Sequence, residues 1–167
     1  MPEASVLFIC LGNICRSTMA EALLRHHLSR HSSNPSIITK VDSCGTGAYH
    51  TNASPDPRTL STLRRHGITN YSHAARKLVK PDFEDFDVLF CMDTDNYEDA
   101  LSMGRRWGVG GNALKKVVRV GEVEGKGRDV QDPYYGGDDG FEKVYEQLSG
   151  VMGDLVDFVE GRVGGKE

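Results

Sequence analysis

The stretch VLFICLGNICRST, residues 6–18, changes character halfway along. Its first part, Val6–Ile9, is continuously apolar and runs into Cys10, which is typical of a strand buried on both faces of a sheet. Gly12 and Asn13 follow, and both residue types tolerate left-handed backbone angles. Polar residues that suit a helix start come next. The stretch therefore predicts a strand, a curled loop and a helix in direct succession.

Three more apolar runs predict strands, and helical patterns separate them along the chain. These strands are expected at Ile37–Val41, Val88–Cys91 and Val117–Val120, and the polar, glycine-bearing segment 121–130 is predicted to be a surface loop. The alternation predicts a single α/β domain in which a four-stranded parallel sheet carries helices on both faces. Ligands in such folds bind at the carboxyl edge of the sheet, where Cys10 is expected to lie.

Three helices are expected in the first two thirds of the chain, and capping signals locate two of them. Thr18 and Glu21 have the spacing of a capping box, so the first helix is expected to begin there. Asp56 is a suitable cap for a second helix, which should end before Gly67. A third helix is expected to begin near Thr94.

The C-terminal part contains the strongest helical pattern. Apolar residues recur at helical spacing over residues 141–159, and Asp139 with Glu142 predicts another capping box. Residues 161–167 offer nothing to pack and are expected to form a mobile tail. The domain is accordingly predicted to span residues 1–160.

The composition limits the class of protein. The chain has 167 residues, of which 38% are hydrophobic and 26% charged, as expected for one compact domain. No apolar run is long enough to cross a membrane, and the N-terminus lacks the features of a secretory signal. The formal net charge of -4, without a sustained basic tract, argues against nucleic-acid binding. We therefore expect a cytoplasmic protein with reduced thiols that binds neither membrane nor nucleic acid.

Cys10 and Arg16 have the placement of a nucleophile beside a bound phosphate. A curled loop directs successive backbone N–H groups inward, and the following helix adds its positive N-terminal end. The planar fork of Arg16 can hold two phosphate oxygens, and a cysteine in such surroundings is favoured as a thiolate. The residues alone leave a second interpretation open, in which Cys10 is a buried strand cysteine and Arg16 caps a helix at the surface.

The loop sequence CLGNICRS and the later sequence DPYYGG resemble the low-molecular-weight protein tyrosine phosphatases. The resemblance covers nearly the whole chain. Further similar segments, in family order, are DSCGTGAYH at 42–50, SPDPR at 54–58, RHGI at 65–68, SHAARKL at 72–78, FDVLFCMD at 86–93 and FEKVYEQL at 141–148. The resemblance implies a Rossmann-like fold of the phosphotyrosine protein phosphatase I type. It also implies hydrolysis of phosphotyrosine and small aryl phosphates through a cysteinyl-phosphate, with no metal and no other cofactor.

Three catalytic roles are implied by the resemblance. Cys10 would be the nucleophile, and Arg16 would bind the phosphate together with the loop N–H groups. Asp132 would be the general acid that protonates the leaving phenolate and afterwards the base that accepts a proton from water. Without the resemblance, Asp132 would be interpreted as part of an ordinary Asp-Pro turn.

The resemblance also implies a substrate-binding surface and a supporting network. Tyr49 and Tyr134 would lie beside the entrance, where flat side chains suit a phenyl ring. The substrate-binding residues would be Leu11, Gly12, Asn13, Ile14, Cys15, Ser17, Tyr49 and Tyr134. The supporting network would consist of Asn13, Ser17, Ser43 and His73. On its own, His73 would be interpreted as an ordinary surface or packed histidine.

Regulation and specificity are implied at a few further positions. Cys15 would be a redox partner that pairs reversibly with Cys10 and protects it from irreversible oxidation. Tyr134 and Tyr135 are candidate phosphorylation sites. Related phosphoarginine phosphatases carry threonine at the position of Ile14, so the apolar residue favours phosphotyrosine.

Three more functions compete with phosphotyrosine hydrolysis. An arsenate reductase on the same fold needs two further thiols after the third strand, whereas this chain has Cys91 and no cysteine after it. A phosphoarginine phosphatase and a non-catalytic phosphate-binding domain also compete, while a zinc site lacks the paired motifs it requires. The expected partners are a phosphotyrosine-containing protein, a small aryl phosphate or a similar oxyanion, and the expected state is a monomer or a weak dimer.

The sequence departs from the family pattern at Asn52. Many family members have glycine at this position, and asparagine too can adopt left-handed backbone angles.

Overall fold

The computed structural model describes residues 2–30 and 35–164. Within them four strands form one sheet: β1 (Ala4–Cys10), β2 (Ile38–Gly45), β3 (Val88–Cys91) and β4 (Val117–Arg119). All neighbouring strands are parallel, in the order β2-β1-β3-β4. The predicted four-stranded parallel sheet is confirmed. Since β1 lies inside the sheet, Cys10 ends it at the carboxyl edge, between β2 and β3.

Seven helices lie between and over the strands in the part of the chain that the structure describes. They are α1 (Arg16–Ser29), α2 (Pro57–Arg65), α3 (Asp82–Asp85), α4 (Thr94–Arg106), α5 (Gly111–Leu114), α6 (Val120–Glu124) and α7 (Asp138–Gly164). Of these, α3, α5 and α6 amount to about one turn each. None of the described helices has the length and hydrophobicity that crossing a membrane would require.

The central strand divides its side chains between two cores. Val6 and Phe8 belong to a core shared with α1 and α7, whereas Leu7 and Ile9 belong to a core shared with α3 and α4. All four side chains are fully buried. Burial of one such side chain stabilises the fold by about 1.5–3 kcal/mol. The prediction of helices on both faces of the sheet is confirmed.

The cap of α2 forms as the sequence predicts, and α4 begins at Thr94 as expected, with a cap on Asp93 that was not predicted. Asp56 Oδ1 accepts a hydrogen bond from the Arg58 N–H at 2.8 Å, and Gly67, just past the end of α2, has φ +85°. At the start of α4, Asp93 Oδ1 accepts from the Asn96 N–H at 2.7 Å. Both caps satisfy a backbone donor that the helix itself leaves unpaired.

The capping box predicted for α1 is absent. No side chain caps this helix, and Thr18 Oγ1 donates instead to the Cys15 carbonyl at 2.9 Å. Glu21 Oε1 accepts from Ser43 Oγ at 2.6 Å and from the Tyr71 hydroxyl at 2.9 Å. The prediction was wrong because buried donors on β2 and in a distant loop engage the Glu21 carboxylate.

The capping box predicted for α7 is also absent. Asp139 already lies within the helix, where its Oδ2 is 3.5 Å from Lys143 Nζ. Glu142 instead receives hydrogen bonds from Arg65 Nη2 at 2.7 Å and pairs with His66 Nε2 at 2.9 Å. Arg65 and His66, at the end of α2, therefore hold the side chain that the sequence assigned to a local cap.

Segment 121–130 is only partly a loop. Its beginning belongs to α6, so β4 ends at Arg119, one residue earlier than expected. Gly121 allows this turn of helix to pack closely, since a Cβ there would lie 2.3 Å from the Arg128 carbonyl oxygen. The polar residues and glycines of this segment are typical of a loop. A helix of about one turn is too short to show a helical period in the sequence.

Helix α7 continues through residues 161–164, which the sequence assigned to a tail. Arg162 Nη1 donates to the Lys115 carbonyl at 3.0 Å, and its guanidinium lies 4.8 Å from the centre of the Phe158 ring. These contacts extend the helix beyond the predicted boundary at residue 160. The rest of the predicted tail, 165–167, lies outside the described residues.

Candidate active site

The connection between β1 and α1 curls tightly over the edge of the sheet. Asn13 has φ +58°, as the loop prediction requires, and it alone of the Gly12–Asn13 pair is left-handed. Gly12 matters for a different reason, since a Cβ there would lie 3.0 Å from His50 Cδ2. A Cβ on Gly45 would lie only 2.5 Å from the Leu11 carbonyl oxygen. The loop thus rests directly on the end of β2.

The carbonyl groups of this loop point outward. Those of Cys10, Leu11 and Ile14 accept hydrogen bonds from the backbone N–H groups of Thr46, Gly47 and Asp56 at 2.9, 2.9 and 2.8 Å. In a trans peptide the C=O and the following N–H point in opposite directions, so the N–H groups turn to the inner side of the loop. The result is an anion-binding nest at the N-terminus of α1.

The Cys10 sulfur lies inside this loop, and the residue as a whole is 3% exposed. It accepts from the Asn13 N–H at 3.3 Å and lies 3.0 Å from Ser17 Oγ. Ser17 Oγ already accepts from Asn13 Nδ2 at 2.8 Å, which leaves its own hydrogen free to point at the sulfur. Both donors are placed to hold a negatively charged sulfur.

The predicted supporting residues lie together, with Asn13 at their centre. Its Nδ2 donates to Ser17 Oγ and to Ser43 Oγ at 2.8 and 3.0 Å. Its Oδ1 accepts from the Arg76 N–H at 3.0 Å and lies 2.8 Å from His73 Nε2. Because that oxygen can only accept, His73 must carry a hydrogen on Nε2. The buried amide is therefore fully bonded, which fixes the shape of the loop.

A group of potential metal ligands lies behind the network. Glu21, Asp42 and His73 bring ligand atoms within 4.8 Å of one another. Arg25 Nη2 pairs with Glu21 at 2.7 Å, and Arg76 Nη2 pairs with Asp42 at 3.0 Å. A cation would have to displace both arginines. The group is better explained as a neutralised polar support for the His73 ring.

Arg16 is 3% exposed, and one of its two terminal nitrogens already makes hydrogen bonds within the protein. Its Nη1 donates to Asp93 Oδ2 at 2.6 Å and to the Val130 carbonyl at 3.0 Å, so both hydrogens on this nitrogen are used. Burial alone would lower the pKa of Arg16, but Cys10 and Asp93 outweigh it and raise the pKa above its usual value. Nε and Nη2 remain, and a guanidinium edge of this kind can donate to two oxygens of one anion.

Asp132 lies on the open side of the site, with its side chain 39% exposed. Its Oδ1 accepts from the Tyr134 N–H at 3.0 Å, and its Oδ2 is 3.7 Å from Arg16 Nη2. The three predicted catalytic residues are therefore brought to one place. Tyr135, next along the segment, is 92% exposed.

These groups line a cavity of about 440 Å³, a volume typical of small-molecule sites. Its lining residues are Cys10, Leu11, Gly12, Ile14, Cys15, Arg16, Tyr49, His50, Asp132, Tyr134 and Tyr135. Asn13 and Ser17 were also predicted to bind substrate, but their side chains are buried behind the loop and do not line the cavity. They support Cys10 instead.

Two residues of the site were missed in the sequence. Asp93 lies two residues after the end of the parallel strand β3. An acidic residue at that position lies at the ligand-binding edge of the sheet, so this signal was available. His50 lines the cavity with its ring centre 5.9 Å from that of Tyr134. A lone histidine in a loop carries no comparable signal.

The remaining cysteines are buried free thiols. Burial, followed by the charge of Asp56, raises the pKa of Cys15 to about 12, and Asp56 Oδ2 lies 4.0 Å from its sulfur. Burial likewise raises the pKa of Cys44 and of Cys91. At neutral pH these three side chains are therefore protonated.

Comparison with known proteins identifies the family. Residues 5–163 match the model of the low molecular weight phosphotyrosine protein phosphatases. The chain belongs to this family. The expectation from the loop sequence is confirmed, and so is the fold expected with it.

Relatives and solved structures match this chain over most of its length and most of their own. The low molecular weight phosphotyrosine protein phosphatase of Schizosaccharomyces pombe is 47% identical over 145 residues, covering 86% of this chain and 88% of the relative. A protein tyrosine phosphatase from Entamoeba histolytica, solved with Hepes in its active site, superimposes with a TM-score of 0.83 at 31% identity, covering 99% and 100% of the chains. The arginine phosphatase YwlE, solved with a phosphorylated active-site serine, has a TM-score of 0.80 at 25% identity, with coverage of 93% and 95%.

Proposed function

We propose that this phosphatase hydrolyses phosphotyrosine in proteins, and small aryl phosphates, through a cysteinyl-phosphate intermediate. The observation that carries the proposal is the position of the Cys10 sulfur. It lies inside a loop of inward N–H groups, 3.0 Å from Ser17 Oγ, in the same cavity as Arg16 and Asp132. A thiolate there faces a site built to bind the three non-bridging oxygens of a phosphate.

In the first half of the reaction, the Cys10 thiolate attacks phosphorus and the bond from phosphorus to the phenolic oxygen breaks. Asp132 gives its proton to that oxygen, which otherwise leaves as a phenolate. A phosphate held by the Nε–Nη2 edge of Arg16 competes for the 3.7 Å contact between Nη2 and Asp132. Substrate binding thereby releases the acid for the leaving oxygen.

In the second half, water attacks phosphorus and the phosphorus–sulfur bond breaks. Asp132, now ionised, accepts the proton from water. Ser17 Oγ stabilises the departing Cys10 thiolate across their 3.0 Å contact. The products are inorganic phosphate and the starting enzyme, so no cofactor is consumed.

The walls of the cavity favour an aromatic substrate. Tyr49 and Tyr134 line it together with Ile14, whose apolar side chain offers no acceptor to a guanidinium group. The similarity to an arginine phosphatase makes phosphoarginine the second candidate substrate. A phenyl ring fits the lining better because stacking requires only flat apolar surfaces.

Cys15 is proposed as a redox partner of Cys10. A peroxide would oxidise the Cys10 thiolate to a sulfenic acid, and Cys15 would attack that sulfur to form a disulfide with release of water. The raised pKa of Cys15 keeps it protonated until this step, so its proton must leave as the sulfur–sulfur bond forms. Mass spectrometry of peroxide-treated enzyme should find a Cys10–Cys15 disulfide, and a Cys10 sulfonate in a Cys15→Ala variant.

Rapid quenching of the reaction with a phosphotyrosine peptide tests the main proposal. Mass spectrometry should find phosphate on Cys10, and Cys10→Ser should bind inorganic phosphate without hydrolysing the peptide. Full activity in Cys10→Ser would refute the mechanism. Faster turnover of a phosphoarginine peptide would change the substrate class. Turnover of arsenate with thioredoxin, without hydrolysis of p-nitrophenyl phosphate, would identify an arsenate reductase.

A further inference from the structure

One carboxylate shortly before the general acid makes contacts that the reaction itself does not explain. Asp129 Oδ1 accepts hydrogen bonds from the Thr94 N–H, the Thr94 hydroxyl and Arg119 Nη1, each at 3.1 Å. Thr94 is the first residue of α4, and Arg119 is the last residue of β4. A single oxygen atom therefore joins a helix, a strand and the segment that leads to Asp132.

The next residue is anchored as well. The Val130 N–H donates to the Met92 carbonyl at 2.8 Å, and its carbonyl accepts from Arg16 Nη1 at 3.0 Å. Val130 is fully buried. Asp132 follows two residues later, and two residues span at most about 7 Å. The anchored residues 129 and 130 therefore limit where Asp132 can lie.

The chain before this pair is an exposed loop that is held by local contacts. The Gly127 N–H donates to the Gly121 carbonyl at 2.9 Å, and the Arg128 side chain pairs with Glu124 at 2.7 Å. Gly125 and Gly127 are both left-handed, and nothing lies within 4 Å of where their Cβ atoms would be. Arg119 Nη1 also donates to the Gly127 carbonyl at 3.3 Å, so the same arginine holds the loop and the carboxylate. Among the described contacts, the Asp129 side chain is what ties the end of this loop to both α4 and β4, directly before the acid segment.

We propose that Asp129 and Arg119 are positioning residues that hold Asp132 over the phosphate loop. The inference rests on the proposed role of Asp132 as general acid. Asp129 touches no lining residue of the cavity through the contacts described, and it acts only through the backbone that follows it. The pair with Arg119 is partly shielded, with side chains 32% and 19% exposed.

A purely structural role is the competing explanation, since Asp129 also caps the Thr94 N–H. Helix α4 has an independent cap, however, because Asp93 accepts from the Asn96 N–H at 2.7 Å. The two explanations differ in how they treat the leaving group. A loss of stability lowers the rate for every substrate alike, whereas a displaced acid harms only substrates whose leaving group needs a proton.

The test compares two substrates in Asp129→Ala. For phenyl phosphate, kcat/KM should fall about 10-fold, because a displacement of the order of 1 Å already removes much of the benefit of a catalytic group. For 2,4-dinitrophenyl phosphate, which leaves without protonation, the fall should be less than about 2-fold. Asp129→Asn keeps an acceptor for Thr94 but loses the ionic pair, so it should show a smaller selective loss. The asparagine variant also provides the test if the alanine variant does not fold.

Matched controls separate this inference from the proposed function. Glu122 is the other carboxylate beside Arg119, at 3.4 Å from its Nε, and Glu122→Gln should leave both substrates unchanged. Asp132→Asn should show the same selectivity on a larger scale, and its absence there would refute the role of Asp132. If Asp132→Asn is selective but both Asp129 variants affect the two substrates equally, or not at all, the positioning role is refuted.

Discussion

The phosphate loop, residues 10–17, and the acid segment, residues 129–135, meet in one cavity but are built differently. The side chains of Ser43 and His73 and the backbone N–H of Arg76 hold the loop, and its central amide on Asn13 makes four hydrogen bonds. The acid segment is fixed at its first two residues and then runs outward to Asp132, 39% exposed, and Tyr135, 92% exposed.

The difference suggests a division of labour between the two regions. A loop whose donors are fixed before substrate arrives loses little free energy in reorganising around phosphate. Asp132, the proposed general acid, must reach leaving groups on substrates of different shape, and an exposed segment allows this. Substitutions in the loop should therefore damage both stability and activity, whereas those in the exposed part of the acid segment, such as Asp132, should damage activity alone.

Arg16→Lys should have the largest effect. A lysine cannot replace both the contacts at Nη1 and the fork for phosphate, so kcat/KM should fall about 10³-fold for all aryl phosphates. Steady-state kinetics with phenyl and dinitrophenyl phosphates measures the loss. A loss confined to phenyl phosphate would show that Arg16 serves the acid rather than the phosphate.

Asp132→Asn should come next. We expect kcat/KM for phenyl phosphate to fall about 10²-fold, because the leaving oxygen is no longer protonated. The free energy of unfolding in urea should change by less than about 0.5 kcal/mol, since the side chain is exposed. A large change in stability would contradict the division between the two regions.

Asn13→Ala should combine a moderate loss of activity with a loss of stability. Removal of the amide leaves buried partners unpaired and places an alanine at φ +58°, which together should cost about 3 kcal/mol and about 10-fold in kcat/KM. Asn52→Ala is the matched control, because Asn52 has φ +69° but is exposed. It should cost about 1 kcal/mol and leave kinetics unchanged. If the two variants lost equal stability and activity, the left-handed backbone angle alone would explain the loss at Asn13.

Cys15 should give the smallest effect. Its pKa is raised to about 12, so the folded protein keeps the thiol protonated until the pH rises towards that value. In a Cys10→Ser background, iodoacetamide should therefore leave Cys15 unmodified at pH 8. Unfolding in urea should make it reactive, because an unfolded thiol has a pKa of about 8.5. Rapid modification of the folded protein at pH 8 would contradict this burial.

The same contrast explains how far the sequence could predict the site. The loop is local: a strand end, Asn13, Arg16 and a helix start lie within a few residues, and their physical properties point to a phosphate nest. Asp132 has no such local signal and was recognised only through the family resemblance. Its contact with Arg16 depends on how two distant segments meet at the sheet edge.

Errors in the predicted fold have a common physical origin. Local spacing assigned Glu21 and Glu142 to capping boxes, yet each binds partners far away in the chain. The short helix α6 was missed because one turn has no measurable period. The strands β1 and β3 were located from their continuous apolar runs, since both are buried on both faces of the sheet, whereas β2 runs to Gly45, beyond its predicted end at Val41.

The support of the loop by β2 has a consequence for refolding. Cys10 lies opposite Gly45 in the parallel register, and Asn13 bonds to partners 30 and 63 residues away, at Ser43 and Arg76. Contacts over such distances form late, because the chain must first be brought together at an entropic cost. The phosphate nest cannot take shape before β1 and β2 have paired. Recovery of hydrolysis during refolding should therefore report when these late long-range contacts form. It should lag behind the protection of the β1 backbone amides from hydrogen exchange.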